Sequence, residues 1–391
     1  MADTTKDIWN DDDGEAEQGK KPHRFRRFLI FFLTLVVVLG VVLVAAWRDG
    51  TGFDILKRWF SYGGAEESGY TYDASSSNRF AALEDFLVVL SDTSLKVLDK
   101  SGDEVWSAAV KMKAPALDVG GGCVVAYDVG GTELYVVNTE GEKLHLTAAE
   151  EEPFIAANLN ANGYLAVTAE KRNYKGSVHV YDAKMREIFE FKSSHRFVTD
   201  ACVTDDDAFL AAVTLGQENS VFVSNIVIYD LTQRDPVADY DISDGLVLAI
   251  GEQDNKLVTV SDTCLSFADP AGKVETTYGY GNEYLREFDF AGDGFTALLL
   301  NRYQSGSVGR LVTVASDGTE IASLDIHEEV RSLSAAGRYL AVLYMNKLVV
   351  YNQDLQEYAS LADTDYAREV IMRKDGSALL VSADSASLYL P

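Results

Sequence analysis

From residue 79 onward one phrase keeps returning: a short turn holding Asp, Asn or Gly, then an aromatic or apolar run. It reads Asn162-Gly163-Tyr164-Leu165-Ala166-Val167, Asp206-Asp207-Ala208-Phe209-Leu210-Ala211, Gly292-Asp293-Gly294-Phe295-Thr296-Ala297, Gly337-Arg338-Tyr339-Leu340-Ala341-Val342 and Asp375-Gly376-Ser377-Ala378-Leu379-Leu380. Looser copies begin at Glu84 and Asp254. Each phrase is followed by an alternating strand ending in Asp or Asn, as in Val97-Leu98-Asp99, Val180-Tyr181-Asp182 and Val350-Tyr351-Asn352, and then by one further short strand such as Glu104-Val105-Trp106-Ser107. Strand, turn, strand, loop, strand, turn, strand is the order of a four-stranded antiparallel propeller blade.

The units start near residues 79, 114, 154, 198, 246, 284, 329 and 368, a spacing within the range of blade repeats. The expected fold class is therefore all-β: a β-propeller of eight four-stranded blades over 79–391, with seven blades and one irregular unit as the alternative. A sandwich pair or an open solenoid would not produce a four-strand unit with one recurring turn phrase. The last unit runs out after its third strand. A strand from 69–74, such as Tyr70-Thr71-Tyr72, is expected to supply the fourth and close the ring, covering edges that would otherwise template aggregation.

Ahead of the repeats, Phe28 to Ala46 carries no charge, a length suited to crossing a bilayer as a helix. Lys20, Lys21, Arg24, Arg26 and Arg27 precede it, so the positive-inside bias puts the N-terminus in the cytoplasm and the bulk of the chain outside. The expected division is a cytoplasmic tail over 1–27, a transmembrane helix over 28–47, a juxtamembrane segment and linker over 48–78, and the propeller. Phe53, Leu56, Trp59 and Phe60 share one face of a short interfacial helix or simple collar. The Gly- and Ser-rich stretch 61–78 reads as a tether. Cleavage after Val44-Ala45-Ala46 is the competing reading, opposed by a long acidic n-region and an overlong apolar core.

Charge excludes one class of partner. The net charge is −27, and residues 61–391 hold 25 Lys/Arg against 52 Asp/Glu, so no basic stripe is present to displace phosphate counterions and nucleic-acid binding is not expected. Cys123, Cys202 and Cys264 lie far apart inside apolar runs and are expected as buried thiols, with one disulfide plus a free thiol as the alternative. The 5 histidines show no ligand spacing. No metal, cofactor or catalytic residue is therefore assigned, and no enzyme activity is expected: neither a nucleophile elbow nor a repeated quinone-docking motif is present.

Two resemblances follow from these residues. The turn-plus-Y-L-A-V phrase is similar to the repeats of YVTN and WD40-like bacterial propellers, and Asp99 to Trp106 (DKSGDEVW) resembles a single quinoprotein-type repeat. The layout of basic stretch, apolar helix, Lys57-Arg58-Trp59-Phe60-Ser61-Tyr62 and blades to the C-terminus resembles the DUF5711 family, uncharacterised single-pass membrane proteins of Firmicutes. That resemblance implies a bacterial cell-surface location and no known activity.

Function is then expected in the loops. The loop between a blade's second and third strands opens on the same face as the connections between blades, a face propellers use for partners. Three such loops are long: 170–175, Gly216-Gln217-Glu218-Asn219 and 301–305. Arg172, Tyr174, Lys175, Arg302 and Tyr303 combine types enriched at interface hot spots, and are expected to contribute to one recognition surface for a protein or a cell-wall glycan. The expected function is a membrane-anchored, non-enzymatic binding or scaffold module; a surface enzyme acting on envelope glycan is the alternative.

Overall fold

In the computed structural model, residues 23–49, 69–218, 220–242 and 245–391 are described. The chain divides into two units, 1–60 and 61–391. The first holds a helix, His23–Asp49, whose described side chains from Phe28 to Val41 leave their apolar groups exposed. Among the described residues no helix is long and apolar enough to cross a membrane. The membrane-spanning role expected for 28–47 is thus not shown, although that stretch is helical. Residues 1–22 of the tail expected over 1–27, the interfacial helix at 53–60 and the tether up to residue 68 lie outside the described residues.

The second unit consists of eight separate four-stranded antiparallel sheets. In seven of them four consecutive strands, A to D, pair in chain order: blades 1 to 7 cover 79–109, 115–147, 154–193, 197–242, 247–279, 284–326 and 330–362. Blade 8 takes its A, B and C strands from 369–389 and its outermost strand from Gly69–Thr71, so the two ends of the unit meet in one sheet. The unit boundaries expected from the repeats coincide with the A strands to within a residue or two, and the expected closing strand is present.

Burial follows position in the blade. B strands are covered on both faces by neighbouring blades and are mostly apolar and buried, as in Leu165–Ala169 and Tyr339–Tyr344. D strands lie at the rim with one face wet and alternate, as in Glu104–Ala109. Eight hydrophobic clusters result, one between each pair of neighbouring blades, and the cluster holding Tyr70, Leu87 and Leu379 joins blade 8 to blade 1. The ring is closed by packing as well as by strand pairing.

The sequence phrase is explained by its turns. Gly163 and Gly376 sit in A–B turns at φ of 84°, a conformation that favours glycine. The Asp or Asn ending six of the eight C strands folds the next turn with its own side chain: Asp99 Oδ1 accepts the Ser101 and Asp103 N–H groups, and Asn352 Oδ1 those of Asp354 and Gln356. All three cysteines are free thiols, with Cys202 and Cys264 buried and Cys123 half-buried.

Candidate functional site

The innermost strands carry a polar system that bridges blades. An A strand at the centre of a ring has no fifth strand to satisfy its inner edge, and here side chains from neighbouring blades do so. Leu159 N–H donates to Asp118 Oδ2 at 2.7 Å, Leu333 N–H to Glu287 Oε1 at 2.9 Å, and Ala335 N–H to Asp289 Oδ2 at 2.7 Å. Ser332 and Ser334 play the same part toward the Val370 and Met372 amides. Asn158 Nδ2 donates both to Asp200 Oδ1 and to the Ala201 carbonyl.

These carboxylates are held away from water. Burial pushes Asp118, Asp200, Asp289 and Glu287 up to about 6 against the hydrogen bonds they accept, and it also raises Glu252 and Glu369. One cavity of about 770 Å³ at the A–B-turn end is lined by Glu84, Asp118, Asp205, Glu252, Asp254 and Asp293, with Lys374 as a basic neighbour. Among the described residues no group of three or more His, Cys, Asp or Glu could hold a metal ion.

The opposite end, where B–C and D–A connections open, is here called the upper face. Near that end the A strands of blades 3 to 7 share an irregularity: each shifts register by one residue, at Ile155, Thr199, Leu248, Arg286 and Arg331. A bulge of this kind re-aims one side chain and is common beside functional sites. Blades 8 and 1 carry Arg368 and Arg79 at the corresponding strand starts. Blades 6, 7, 8 and 1 therefore bear consecutive arginines, whereas blades 3 to 5 bear Ile155, Thr199 and Leu248. Arg331 is fixed by donating to the Asp365 and Ala367 carbonyls at 2.9 and 2.6 Å. Beneath the arginines a cavity of about 450 Å³ is lined by Arg331, Arg368, Glu287, Asp289, Glu369 and Phe80 among others.

The residues singled out in the sequence lie on the upper face but not together. Arg172, Tyr174 and Lys175 occupy the B–C loop of blade 3, and Arg302 and Tyr303 that of blade 6, three blades away. All five are exposed, Tyr303 to 63%. Lys175 Nζ sits 4.6 Å from the centre of the Phe197 ring. The third expected loop is not a loop: Gly216, Gln217 and Glu218 continue the B strand, which pairs with Val221–Asp230 in a hairpin taller than its neighbours. Pairing with the A strand stops at Leu215 and with the D strand at Ser224, so the hairpin overhangs the face and exposes Val221 and Phe222. The channel carboxylates and the arginine arc were missed in the sequence. The available signal was Arg at or just after a unit start, at 79, 286, 331 and 368.

The comparisons with known proteins bear on this geometry. A family model described as "Family of unknown function (DUF5711)" matches residues 62–386. The chain belongs to this family. No curated protein sequence matches it. Among solved structures the DUF5711 propeller is similar to the computationally designed Ika8 protein (TM-score 0.59, 14% identity, covering 83% of this chain and 100% of that one). It is also similar to BamB from Moraxella catarrhalis (TM-score 0.53, 12% identity, 83% and 98%) and to the C-terminal WD40 domain of Sif2 (TM-score 0.58, 14% identity, 83% and 98%). At these identities the likeness establishes the propeller fold alone.

Proposed function

We propose that this DUF5711 protein is a membrane-anchored binding module whose upper face docks a protein outside the cytoplasm. The uncharged stretch 28–46, helical within His23–Asp49 and preceded by a basic cluster, supports a single span with the N-terminus inside. The observation that carries the binding role is where large apolar side chains reach solvent. Tyr174, Phe197, Phe222, Tyr284, Tyr303 and Tyr366 all stand at B–C loops, D–A connections or the strand ends beside them, hence on the upper face. Val105, Ile188, Val237 and Val274 are exposed singly on outer strands, which is ordinary for a soluble surface.

Gly69 pairs with Ser387, the middle residue of blade 8's C strand, and its carbonyl lies beside Gly102 in a C–D turn. The described part of this unit thus begins at the lower rim, at the opposite end from the upper-face loops. A partner touching both Arg172 and Tyr303 has to cover the channel mouth between blades 3 and 6.

The test is a crosslinking capture from intact cells with the tagged full-length chain, compared with an Arg172→Ala/Tyr303→Ala variant and a Val105→Ala control. Loss of a captured protein in the double variant alone is the expected result. Unchanged capture in the double variant sinks the reading.

A further inference from the structure

The upper channel mouth has two layers of opposite charge. Arg331 and Arg368 line the cavity together with Glu287 and Asp289 from the A strand of blade 6 and Glu369 from that of blade 8. Arg79 and Arg286 flank it, the first acting electrostatically on Glu369 and the second on Glu287. The side chains of Arg286, Arg368 and Glu369 have no hydrogen-bond or ion-pair partner among the described residues. Glu369 is nevertheless half-buried, so its carboxyl faces a confined space with its acceptors unused. The carboxylates of the neighbouring blades are engaged by backbone amides, which leaves Glu369 as the odd one.

A simple polyanion fits poorly here, because three carboxyl groups lie immediately below the arginines. A simple cation fits poorly as well, because it must pass the arginine arc. A ligand carrying both charges a short distance apart satisfies both layers, because arginines and carboxyl groups line the one cavity. Phe80, Leu333, Val370 and Ile371 line the same cavity, giving an apolar side for an alkyl group.

We propose that this mouth binds a free α-amino acid with an apolar side chain, its carboxylate held by Arg331 and Arg368 and its ammonium by Glu369. Guanidinium groups suit a carboxylate: Arg331 is held in place by Met345 Sδ and the Asp365 and Ala367 carbonyls through Nε and Nη1, which leaves Nη2 for the ligand, while Arg368 offers its whole fork. The site is distinct from the outer loops and stands or falls independently of the protein-docking role proposed for them.

The experiment is isothermal titration of the full-length chain in detergent micelles with three probes: L-leucine, N-acetyl-L-leucine, which lacks the ammonium, and L-leucinamide, which lacks the carboxylate. Leucine is expected to bind, and each analogue to bind about tenfold or more weakly, the loss of one charge-assisted contact. Glu369→Gln should weaken leucine by about the same factor and leave N-acetyl-leucine unchanged, whereas Arg368→Gln should weaken both. Arg368→Lys, which retains the charge and loses the fork, should fall between wild type and Arg368→Gln and guards against a folding defect. Arg172→Ala/Tyr303→Ala should leave leucine binding intact. Equal affinity for leucine and N-acetyl-leucine, insensitivity of leucine to Glu369→Gln and Arg368→Gln, or no leucine binding at all each overturns the proposal.

Discussion

At the scale of single residues, buried acids set how this protein responds to pH. Glu287 is raised to about 6 by burial, against an ordinary value near 4.3, so the folded form takes up a proton more readily than the unfolded one. Stability from the protonated group is fully present below about pH 4 and is lost as pH rises through about 6, a cost on the order of 2 kcal/mol at neutral pH. Glu287→Gln retains the oxygen that accepts the Leu333 N–H and removes the charge. In ligand-free buffer the variant should melt higher than wild type at pH 7.5 and alike at pH 4; a gain at pH 4 with none at pH 7.5 would contradict the assignment. None of this was legible in the sequence. Asp118, Asp200 and Asp289 sit in a chain with 61 acids, where each reads as surface solubility, and only the ring brings them to its inner edge. The arginine arc escaped for another reason: the one-residue bulges at Arg286 and Arg331 near the upper end leave no trace in the period-2 pattern.

At the scale of elements, the closing strand and the tall hairpin make opposite predictions. Tyr70 is 2% exposed, packs in the cluster joining blades 8 and 1, and donates its hydroxyl to the Asp85 carbonyl at 2.8 Å. Tyr70→Ala should cost about 3–5 kcal/mol, the range for emptying an aromatic site in a core, read as a lower midpoint in urea unfolding. A loss under about 1 kcal/mol would mean the seam contributes little. Phe222, by contrast, is 63% exposed on the overhanging hairpin. Phe222→Ser should change stability by no more than about 0.5 kcal/mol, while reducing partner capture by the full-length protein. Retained capture would remove the hairpin from the docking surface. The blades were legible because turn chemistry punctuates them: Asn162-Gly163 and the Asp or Asn at the end of most C strands fix where strands stop. The hairpin was not, because Gly216-Gln217-Glu218 looks like a turn and nothing local says that pairing with Val221, Phe222 and Val223 carries the ladder past it.

At the scale of the whole molecule, charge opposes the fold. The region from residue 61 holds 25 basic against 52 acidic side chains, and its surface ion pairs, such as Lys143–Glu140 and Lys347–Glu328, are exposed. Raising ionic strength shortens the screening length from about 10 Å at 0.1 M to about 3 Å at 1 M. The melting temperature should therefore rise with NaCl over that range; a fall would show that attractive pairs outweigh the repulsion. Ring closure also sets a schedule for synthesis. Tyr72 donates its hydroxyl to the carbonyls of Ser382 and Ser385, 310 and 313 positions downstream. At about 5–20 residues per second a ribosome needs on the order of tens of seconds to span that gap. Seven blades can assemble in order as they emerge, each from four strands made one after another, while the earliest strand waits unpaired for the latest. Its brevity, Gly69–Thr71, gives it little edge with which to mispair in the interval, and its pairing with Ser385, Ala386 and Ser387 is what turns an open stack into a ring.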